Sequence, residues 1–189
     1  IMGFTELIIE RIKEGDTEKA LSFANFLSQT TTSAYELLEN LLTWSRSQSG
    51  VIEFKPERVS LKKVLDYNVQ LLSGAAQIKG VELVPKLEAD LYVTADSNML
   101  LTVVRNLITN AIKFSSVGDF ITLDAAEQDN RVVVSIADTG VGIPKSEIKK
   151  IFRIDGNYKA KGTANESGTG LGLILCREFV ERNGGTIWV

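Results

Sequence analysis

A run of small and apolar residues near the N-terminus constrains the fold more than any other feature of the chain. Its members recur at alternating spacings of four and three residues: Ala20, Ala24, Leu27, Thr31, Ala34, Leu38, Leu41 and Ser45. This spacing places one stripe along a helix over 17–49 and is typical of a coiled coil or a helical bundle. A shorter helix over 1–14, ended by Gly15-Asp16, would form a hairpin with it, and Asp16 would cap the second helix.

The apolar surface of this hairpin is wider than a two-helix contact, because Leu37, Leu42 and Trp44 lie beside the stripe. We therefore expect a homodimer in which two hairpins form a four-helix bundle. The alternative is that the hairpin packs on its own downstream domain. Because the second predicted helix is much longer than the first, we also expect part of the hairpin to precede Ile1.

After residue 52 the pattern changes to short strands and helices. The predicted strands are 54–59, 81–86, 91–94, 120–126, 131–137 and 185–189, and the predicted helices are 61–79, 97–114, 144–150 and 170–182. Pro85 favours an edge position for its strand. The fold class is predicted as α+β, and the last strand is expected to be truncated. The chain is 44% hydrophobic, enough for one good core or two small ones.

The residue counts exclude several classes of site. The net charge of −3 gives no support for a nucleic-acid surface, and no apolar run reaches the roughly 18 residues of a membrane span. The chain has no histidine, so any metal must bind oxygen ligands, which suits Mg²⁺. Cys176 is the only cysteine, and we interpret it as a small buried side chain.

Asp138 follows the predicted strand 131–137 on its apolar face, and Gly140 and Gly142 come directly after it. A carboxylate that continues a core face needs a hydrogen-bonding partner. The glycines would let a ligand approach the backbone without interference from Cβ atoms. The alternative interpretation is an ordinary strand end with an Asp-Gly turn.

Asn106, Asn110 and Lys113 share one face of the predicted helix 97–114, which is otherwise apolar. Asparagine oxygens can coordinate Mg²⁺, and a lysine can reach a phosphate. The asparagines could instead bond to neighbouring backbone groups.

A glycine-rich turn, Gly168-Thr-Gly-Leu-Gly172, opens the last predicted helix. Its backbone N–H groups could face an anion at the helix N-terminus, although a flexible linker would have the same composition. The aperiodic segment 153–169, which leads into this turn, is long for a connection and is typical of a lid over a site.

In combination these features resemble the sensor histidine kinases. Asn106–Phe114 is similar to their N box, Asp138–Pro144 to their G1 box, and Gly168–Leu173 to their G2 box. The resemblance covers essentially the whole chain. It implies a truncated dimerisation and histidine phosphotransfer hairpin over 1–52, and an ATP-binding catalytic domain over 53–189. That domain would be an α/β sandwich with helices on one face of a mixed sheet.

The resemblance also implies the roles of the site residues. Asp138 would receive the adenine amino group, and the residues around the base would be Phe114, Gly140 and Gly142. Asn110, helped by Asn106, would hold Mg²⁺ on the phosphates, and Lys113 would support the phosphate charge. The turn that approaches the phosphates would consist of Ser167, Gly168, Thr169, Gly170, Leu171 and Gly172.

Two departures from the family pattern limit these assignments. The phosphoacceptor histidine has no match, so no catalytic residue is identifiable, and the chain as written cannot phosphorylate itself. We expect that histidine upstream of Ile1. The F box fits only loosely at Ile151–Asp155, which leaves Arg153, Lys159 and Lys161 as candidates for contact with the γ-phosphate.

The implied function is that of a cytoplasmic protein histidine kinase, with ATP and Mg²⁺ as cofactors and a response-regulator receiver domain as partner. Two alternatives remain. Related ATPases of the gyrase, chaperone and mismatch-repair families carry a glutamate base in the N-box helix, where Asn106 stands here. An amide cannot accept a proton at neutral pH, which disfavours ATP hydrolysis. The other alternative is a scaffold that binds ATP without catalysis.

Overall fold

The computed structural model describes residues 2–48, 53–87, 89–153, 160–166, 168 and 170–189. The chain divides into two units, Ile1–Ser45 and Arg46–Val189. The predicted boundary between residues 52 and 53 adjoins positions 49–52, which lie outside the described residues. The first unit is a helical hairpin of α1 (Met2–Lys13) and nearly all of α2 (Thr17–Gln48), whose last residues belong to the second unit.

The hairpin turn follows from its sequence. Asp16 Oδ1 accepts a hydrogen bond from the backbone N–H of Lys19 at 3.2 Å, so it caps α2 as predicted. Gly15 has a φ of +77°, a left-handed conformation that glycine adopts without steric cost. At the end of α1 away from this turn, the centre of the Phe4 ring lies 4.9 Å from that of the Phe26 ring, and this contact packs the two helices together. Within the described ranges no helix has both the length and the apolarity for a membrane crossing.

The second unit combines helices with a mixed sheet, which confirms the predicted α+β class. In chain order its elements are β1 (Pro56–Ser60), α3 (Leu61–Lys79), β2 (Glu82–Pro85), β3 (Tyr92–Asp96), α4 (Ser97–Phe114), β4 (Phe120–Gln128), β5 (Arg131–Asp138) and α5 (Gly172–Arg182). β2 pairs with β4 in parallel, and β4 pairs with β5 antiparallel. β1 and β3 form a separate antiparallel pair.

The core of this unit lies where α3 and α4 pack on the mixed sheet. Leu65 of α3, Ile108 of α4, and Ile121 and Leu123 of β4 are each at most 1% exposed and belong to one cluster. Full burial of such a side chain stabilises a fold by about 1.5–3 kcal/mol. Pro85 lies on an edge strand as predicted, since β2 pairs only with β4 in the described part of the chain.

Capping residues fix the helix ends that position the site. Ser60 accepts the N–H of Lys63 at 3.2 Å at the start of α3, and Gly80 ends that helix with a φ of +72°. Asp96 accepts the N–H of Met99 at 3.1 Å and caps α4. These caps confirm the predicted starts of α3 and α4 and the predicted end of α3.

Two predicted elements are absent from the structure. Residues 144–150 form successive turns rather than a helix, because most of their hydrogen bonds span three residues, as from the N–H of Lys150 to the C=O of Glu147. Residues 185–189 are not a strand, since no strand in the described part of the chain offers them a ladder of N–H and C=O groups.

Candidate functional site

The end of α4 is the centre of the candidate site. The final carbonyl groups of a helix lack partners within the helix and must find them elsewhere. Here the C=O of Lys113 accepts the N–H of Thr163, and the C=O of Phe114 accepts the N–H of Val141, each at 3.1 Å. The C=O of Ser115 accepts the Thr163 hydroxyl. The segment after β5, through Val141, and the segment before the glycine-rich turn, through Thr163, therefore both hydrogen-bond to the C-terminal end of α4.

Gly140 approaches α4 so closely that a side chain has no room. A Cβ at this position would overlap the carbonyl oxygen of Phe114. Thr139 fixes the approach, because its hydroxyl donates to Asp119 Oδ1 at 2.9 Å and accepts the N–H of Phe120 at 3.2 Å. A hydrogen bond from the N–H of Ser116, and after it the one from the Thr139 hydroxyl, hold the pKa of Asp119 below its usual value. The structure thus gives Gly140 a packing role besides its predicted role beside a base.

Asp138 is exposed, which corrects the expectation of a carboxylate on a core face. The reason is its position as the last residue of β5, two residues beyond Ile136, which still packs on the core from this strand. Asp138 Oδ1 accepts the N–H of Gly140 at 3.0 Å, which orients the carboxylate. Gly142 adopts a φ of +69°, a conformation that favours glycine. The carboxylate is therefore held in place and accessible.

Asn106 lies against the start of α5. Its Nδ2 donates to the C=O of Thr102 at 3.0 Å, as the backbone-bonded interpretation predicted. Its Oδ1 lies 3.0 Å from the position that a Cβ on Gly172 would occupy. The amide nitrogen of Asn106 therefore hydrogen-bonds within α4, and the amide oxygen faces the glycine-rich turn. Asn110, one turn farther along α4, is half-buried.

Lys113 brings the end of α4 next to the same turn. Its Nζ lies 2.5 Å from the position of a Cβ on Gly168, and 5.0 Å from the centre of the Phe114 ring. Gly162 is constrained in the same way, because its Cβ would lie 2.7 Å from Lys113 Cγ. The structure thus brings Lys113, which was predicted to contact phosphate, next to Gly168 of the glycine-rich turn, 55 residues later in the chain.

Some predicted site residues lie outside the described part of the chain, namely Ser167, Thr169 and Lys159. Arg153 and Lys161 are exposed. Gly170 has a φ of +76°, and Leu171 is half-buried directly before α5.

The side chains around α4 suit Mg²⁺ only in company with a phosphate ligand. Within the described ranges no three acidic, cysteine or histidine side chains cluster as metal ligands, and α4 itself carries no acidic residue. Asn106 and Asn110 would supply amide oxygens at most. Mg²⁺ usually binds through few protein ligands and completes its shell with phosphate oxygens and water. The residues present fit that kind of site.

Sequence interpretation missed an ion pair that borders the site. Lys79 Nζ, at the end of α3, lies 2.6 Å from Glu166 Oε1 and donates to the C=O of Lys113 at 2.6 Å. Partial burial raises the pKa of Glu166, but hydrogen bonds from Lys79 and from backbone N–H groups outweigh it, so the pKa is lowered overall. A lysine in the last turn of a helix is usually solvated, so the sequence carried no signal for this contact.

Cys176 is fully buried on α5, which confirms its interpretation as a small core side chain. Its Sγ lies 3.8 Å from the C=O of Val103 on α4. Burial raises the pKa of the thiol to about 12. The residue therefore packs α5 on α4 and takes no part in the site.

Residues 95–189 match the family described as histidine kinase-, DNA gyrase B-, and HSP90-like ATPase. This range includes α4 and the glycines that approach it. The chain belongs to this family. It is also 32% identical over 190 residues to the sensor histidine kinase WalK of Bacillus subtilis, a comparison that covers 95% of this chain. The chain spans only 30% of the length of WalK.

Solved structures agree with this assignment. The catalytic domain of histidine kinase ThkA is 28% identical with a TM-score of 0.62, over 72% of this chain and 88% of that one. Full-length ShkA in complex with AMPPNP is 26% identical with a TM-score of 0.67, over 86% of this chain and 34% of that one. The resemblance to sensor histidine kinases is confirmed, and Arg46–Val189 contains a catalytic domain of their type.

Proposed function

We propose that this chain is the ATP-binding catalytic core of a sensor histidine kinase. The observation that carries the proposal is the convergence of three glycines on the last turns of α4. Gly172 lies against Asn106, Gly168 against Lys113, and Gly140 against Phe114. Such approaches leave backbone groups where side chains would otherwise stand, which suits an anionic ligand at the start of a helix. ShkA was solved with the ATP analogue AMPPNP, which supports the same class of ligand here.

Asp138 would recognise the adenine end of the nucleotide. Its exposed carboxylate is oriented by the N–H of Gly140 and can accept a hydrogen bond from an amino group. Adenine offers an amino group at the position where guanine has a carbonyl oxygen, so this contact would select adenine. Phe114 would lie beside the base, and Gly142 would keep its approach open.

Lys113 and the start of α5 would hold the phosphate end. The lysine ammonium lies beside Gly168, where it can neutralise phosphate charge. Asn110 and Asn106 would provide the protein oxygens for Mg²⁺, which when bound neutralises charge that develops on the transferred phosphoryl group. Catalysis would then consist mainly of positioning and charge neutralisation.

In the proposed reaction the γ-phosphoryl group passes from ATP to the imidazole of a histidine, with release of ADP, and then to an aspartate of a response regulator. The sequence contains no histidine, so the acceptor lies outside it. ThkA was solved in complex with the response regulator protein TrrA, which supports a partner of that class for this chain. We expect the proposed reaction to take place in the cytoplasm, where ATP is available.

The hairpin would serve as the dimerisation part of this kinase. Leu37, Leu38, Leu41 and Leu42 of α2 are between 42% and 59% exposed. Apolar surface of this extent on one helix favours a second copy of the hairpin as its cover, in a four-helix bundle.

The test is calorimetric titration with AMPPNP in the presence and absence of Mg²⁺. We expect Asp138→Ala to lower the affinity by at least about tenfold, the worth of a charge-assisted hydrogen bond. Glu127→Ala removes an exposed carboxylate from the adjacent strand and should leave the affinity unchanged. Undiminished binding by Asp138→Ala would remove the adenine assignment.

A second titration locates the metal. We expect Asn110→Ala to reduce the gain in affinity that Mg²⁺ brings, because a protein oxygen ligand is lost. Asn98→Ala, at the exposed opposite end of α4, is the matched control. An unchanged Mg²⁺ effect in Asn110→Ala would place the metal elsewhere.

ATP hydrolysis as the main reaction is disfavoured by the composition of α4, which offers no carboxylate as a base for water. We expect steady-state phosphate release close to the uncatalysed background. Release that saturates with ATP and disappears in Asn110→Ala would instead favour the gyrase and chaperone type of ATPase.

A further inference from the structure

Lys79 stands at a junction that the proposed roles leave unexplained. Its ammonium group donates to acceptors from two distant parts of the chain, the C=O of Lys113 and Oε1 of Glu166, each at 2.6 Å. The Lys79 side chain is only 14% exposed. A charged group so far removed from water is tolerated when it has such partners.

Glu166 in turn organises the turn formed by residues 162–166. Its Oε2 accepts the N–H of Ala164 at 2.8 Å, and its C=O accepts the N–H of Gly162 at 2.9 Å. A Cβ on Gly162 would overlap the Glu166 carboxylate. The turn is therefore built around this one side chain, and its conformation depends on where that carboxylate is held.

The same turn is attached to the end of α4. Thr163 donates its N–H to the C=O of Lys113 at 3.1 Å and its hydroxyl to the C=O of Ser115. Gly168, two residues after Glu166, lies beside Lys113 Nζ. Residues 162–166 thus connect the end of α3 with the part of α4 that would face the phosphates.

We infer that Lys79 is a positioning residue for the nucleotide site, because with Glu166 it fixes residues 162–166 on the end of α4 and so sets the starting position of the glycine-rich turn. The inference rests on the proposed ATP site and adds a residue outside its motifs. A site that is already ordered binds more tightly, since binding does not have to order the loop. The effect falls on the phosphate end, because the turn leads to Gly168 rather than to Asp138.

The variants are chosen to remove the charge with little change of shape. Lys79→Met retains most of the side-chain length, and Glu166→Gln retains an oxygen and the size of the carboxylate. Lys62→Met is the matched control, because Lys62 forms an exposed pair with Asp66 on the same helix at 3.1 Å, a type of pair that contributes little.

Two measurements follow on each variant. Hydrogen exchange of the segment 160–166 without nucleotide reports the anchor, and calorimetry with Mg²⁺-AMPPNP and with adenosine reports the site. In Lys79→Met and Glu166→Gln we expect faster exchange and an affinity for AMPPNP lower by about tenfold. Adenosine affinity should stay within about twofold, and the double variant should lose no more than either single variant. Lys62→Met should match the unaltered chain throughout.

Equal AMPPNP affinity in Lys79→Met and the unaltered chain overturns the inference, whether or not exchange changes. Equal losses for AMPPNP and adenosine also overturn it, because that pattern reports a general loss of structure, which thermal unfolding would register. A failure of the unaltered chain to bind AMPPNP is a different result. It overturns the proposed function itself, and this inference with it.

Discussion

The two units of the chain bury their apolar residues to very different degrees. In Arg46–Val189, Ile108 and Ile121 are fully buried, whereas in Ile1–Ser45 two leucines of the apolar stripe, Leu38 and Leu41, are 59% and 45% exposed. The catalytic unit completes its core with its own residues, while the hairpin leaves the apolar stripe of α2 in contact with water. We infer that the first is stable as a monomer and that the stability of the second depends on a partner helix and therefore on protein concentration.

The strongest expected effect comes from truncation of the catalytic core. Ile108→Ala should lower the free energy of unfolding of this unit by about 2–5 kcal/mol, because it removes buried contacts and leaves a cavity. Ile78→Ala is the matched control, since Ile78 is 91% exposed, and its cost should stay within about 0.5 kcal/mol. Urea denaturation measures both. Equal losses would show that the contrast in burial does not describe the unit in solution.

In the proposed four-helix bundle, charged residues in the apolar stripe of α2 would separate the two copies of the chain. Leu38→Glu with Leu41→Glu should weaken dimerisation by at least about a hundredfold, because charged groups would be buried in the bundle. Leu71→Glu introduces the same charge at a 52% exposed leucine of α3 and should leave the molar mass unchanged. Sedimentation equilibrium provides the measurement. A monomer for the unaltered chain at high concentration would contradict the bundle.

Two glycines allow a similar comparison inside the catalytic unit. Gly140→Ala should lower the free energy of unfolding by about 1–3 kcal/mol, because its Cβ would overlap the C=O of Phe114. Gly74 lies within α3, and a Cβ there would meet nothing within 4 Å. Gly74→Ala should therefore stabilise the chain by about 0.5–1 kcal/mol, through the better helix propensity of alanine. Thermal unfolding distinguishes the two, and a neutral Gly140→Ala would argue against the close approach.

The smallest expected effect concerns pH. The pKa of Glu166 is lowered in the folded chain, so its contribution is complete above its ordinary value of 4.5 and is lost as the pH falls through the folded value. Lys79 is the cation that faces it from α3, and Lys113 of α4 lies beside Gly162. After correction for intrinsic rates, hydrogen exchange of residues 160–166 should be constant at every pH above the ordinary value of 4.5 and accelerate only at a pH below it. Glu166→Gln should remove this step, and its persistence in the variant would assign the step to another group.

Local signals predicted most of the fold. The caps at Ser60 and Asp96 and the helix end at Gly80 depend on residues within a few positions of each other. Such local interactions can be predicted from the sequence. The spacing of Asn106, Asn110 and Lys113 put these three side chains on one face of the predicted helix for the same reason. The segment 144–150 was predicted wrongly as a helix, because an opening proline and a few favourable residues do not ensure helical hydrogen bonds.

Long-range pairing decided what the sequence left open. Asp138 is exposed because it is the last residue of β5, beyond the part of the strand that packs on the core, and the pattern of one strand does not show where that packing ends. Lys79 and Glu166 are 87 residues apart, and neither lies within a predicted motif. The close approach of Gly168 to Lys113 likewise appears only after α4 and the glycine-rich turn are brought together.

The central claim is that the three segments that meet at the end of α4 form one nucleotide site. Hydrogen exchange with and without Mg²⁺-AMPPNP tests it most directly. We expect protection to increase together in residues 106–116, 138–143 and 168–175, with saturation at one ligand concentration, and to stay unchanged in α2. Protection confined to one of these segments, or found only in the hairpin, would contradict a single site built on α4.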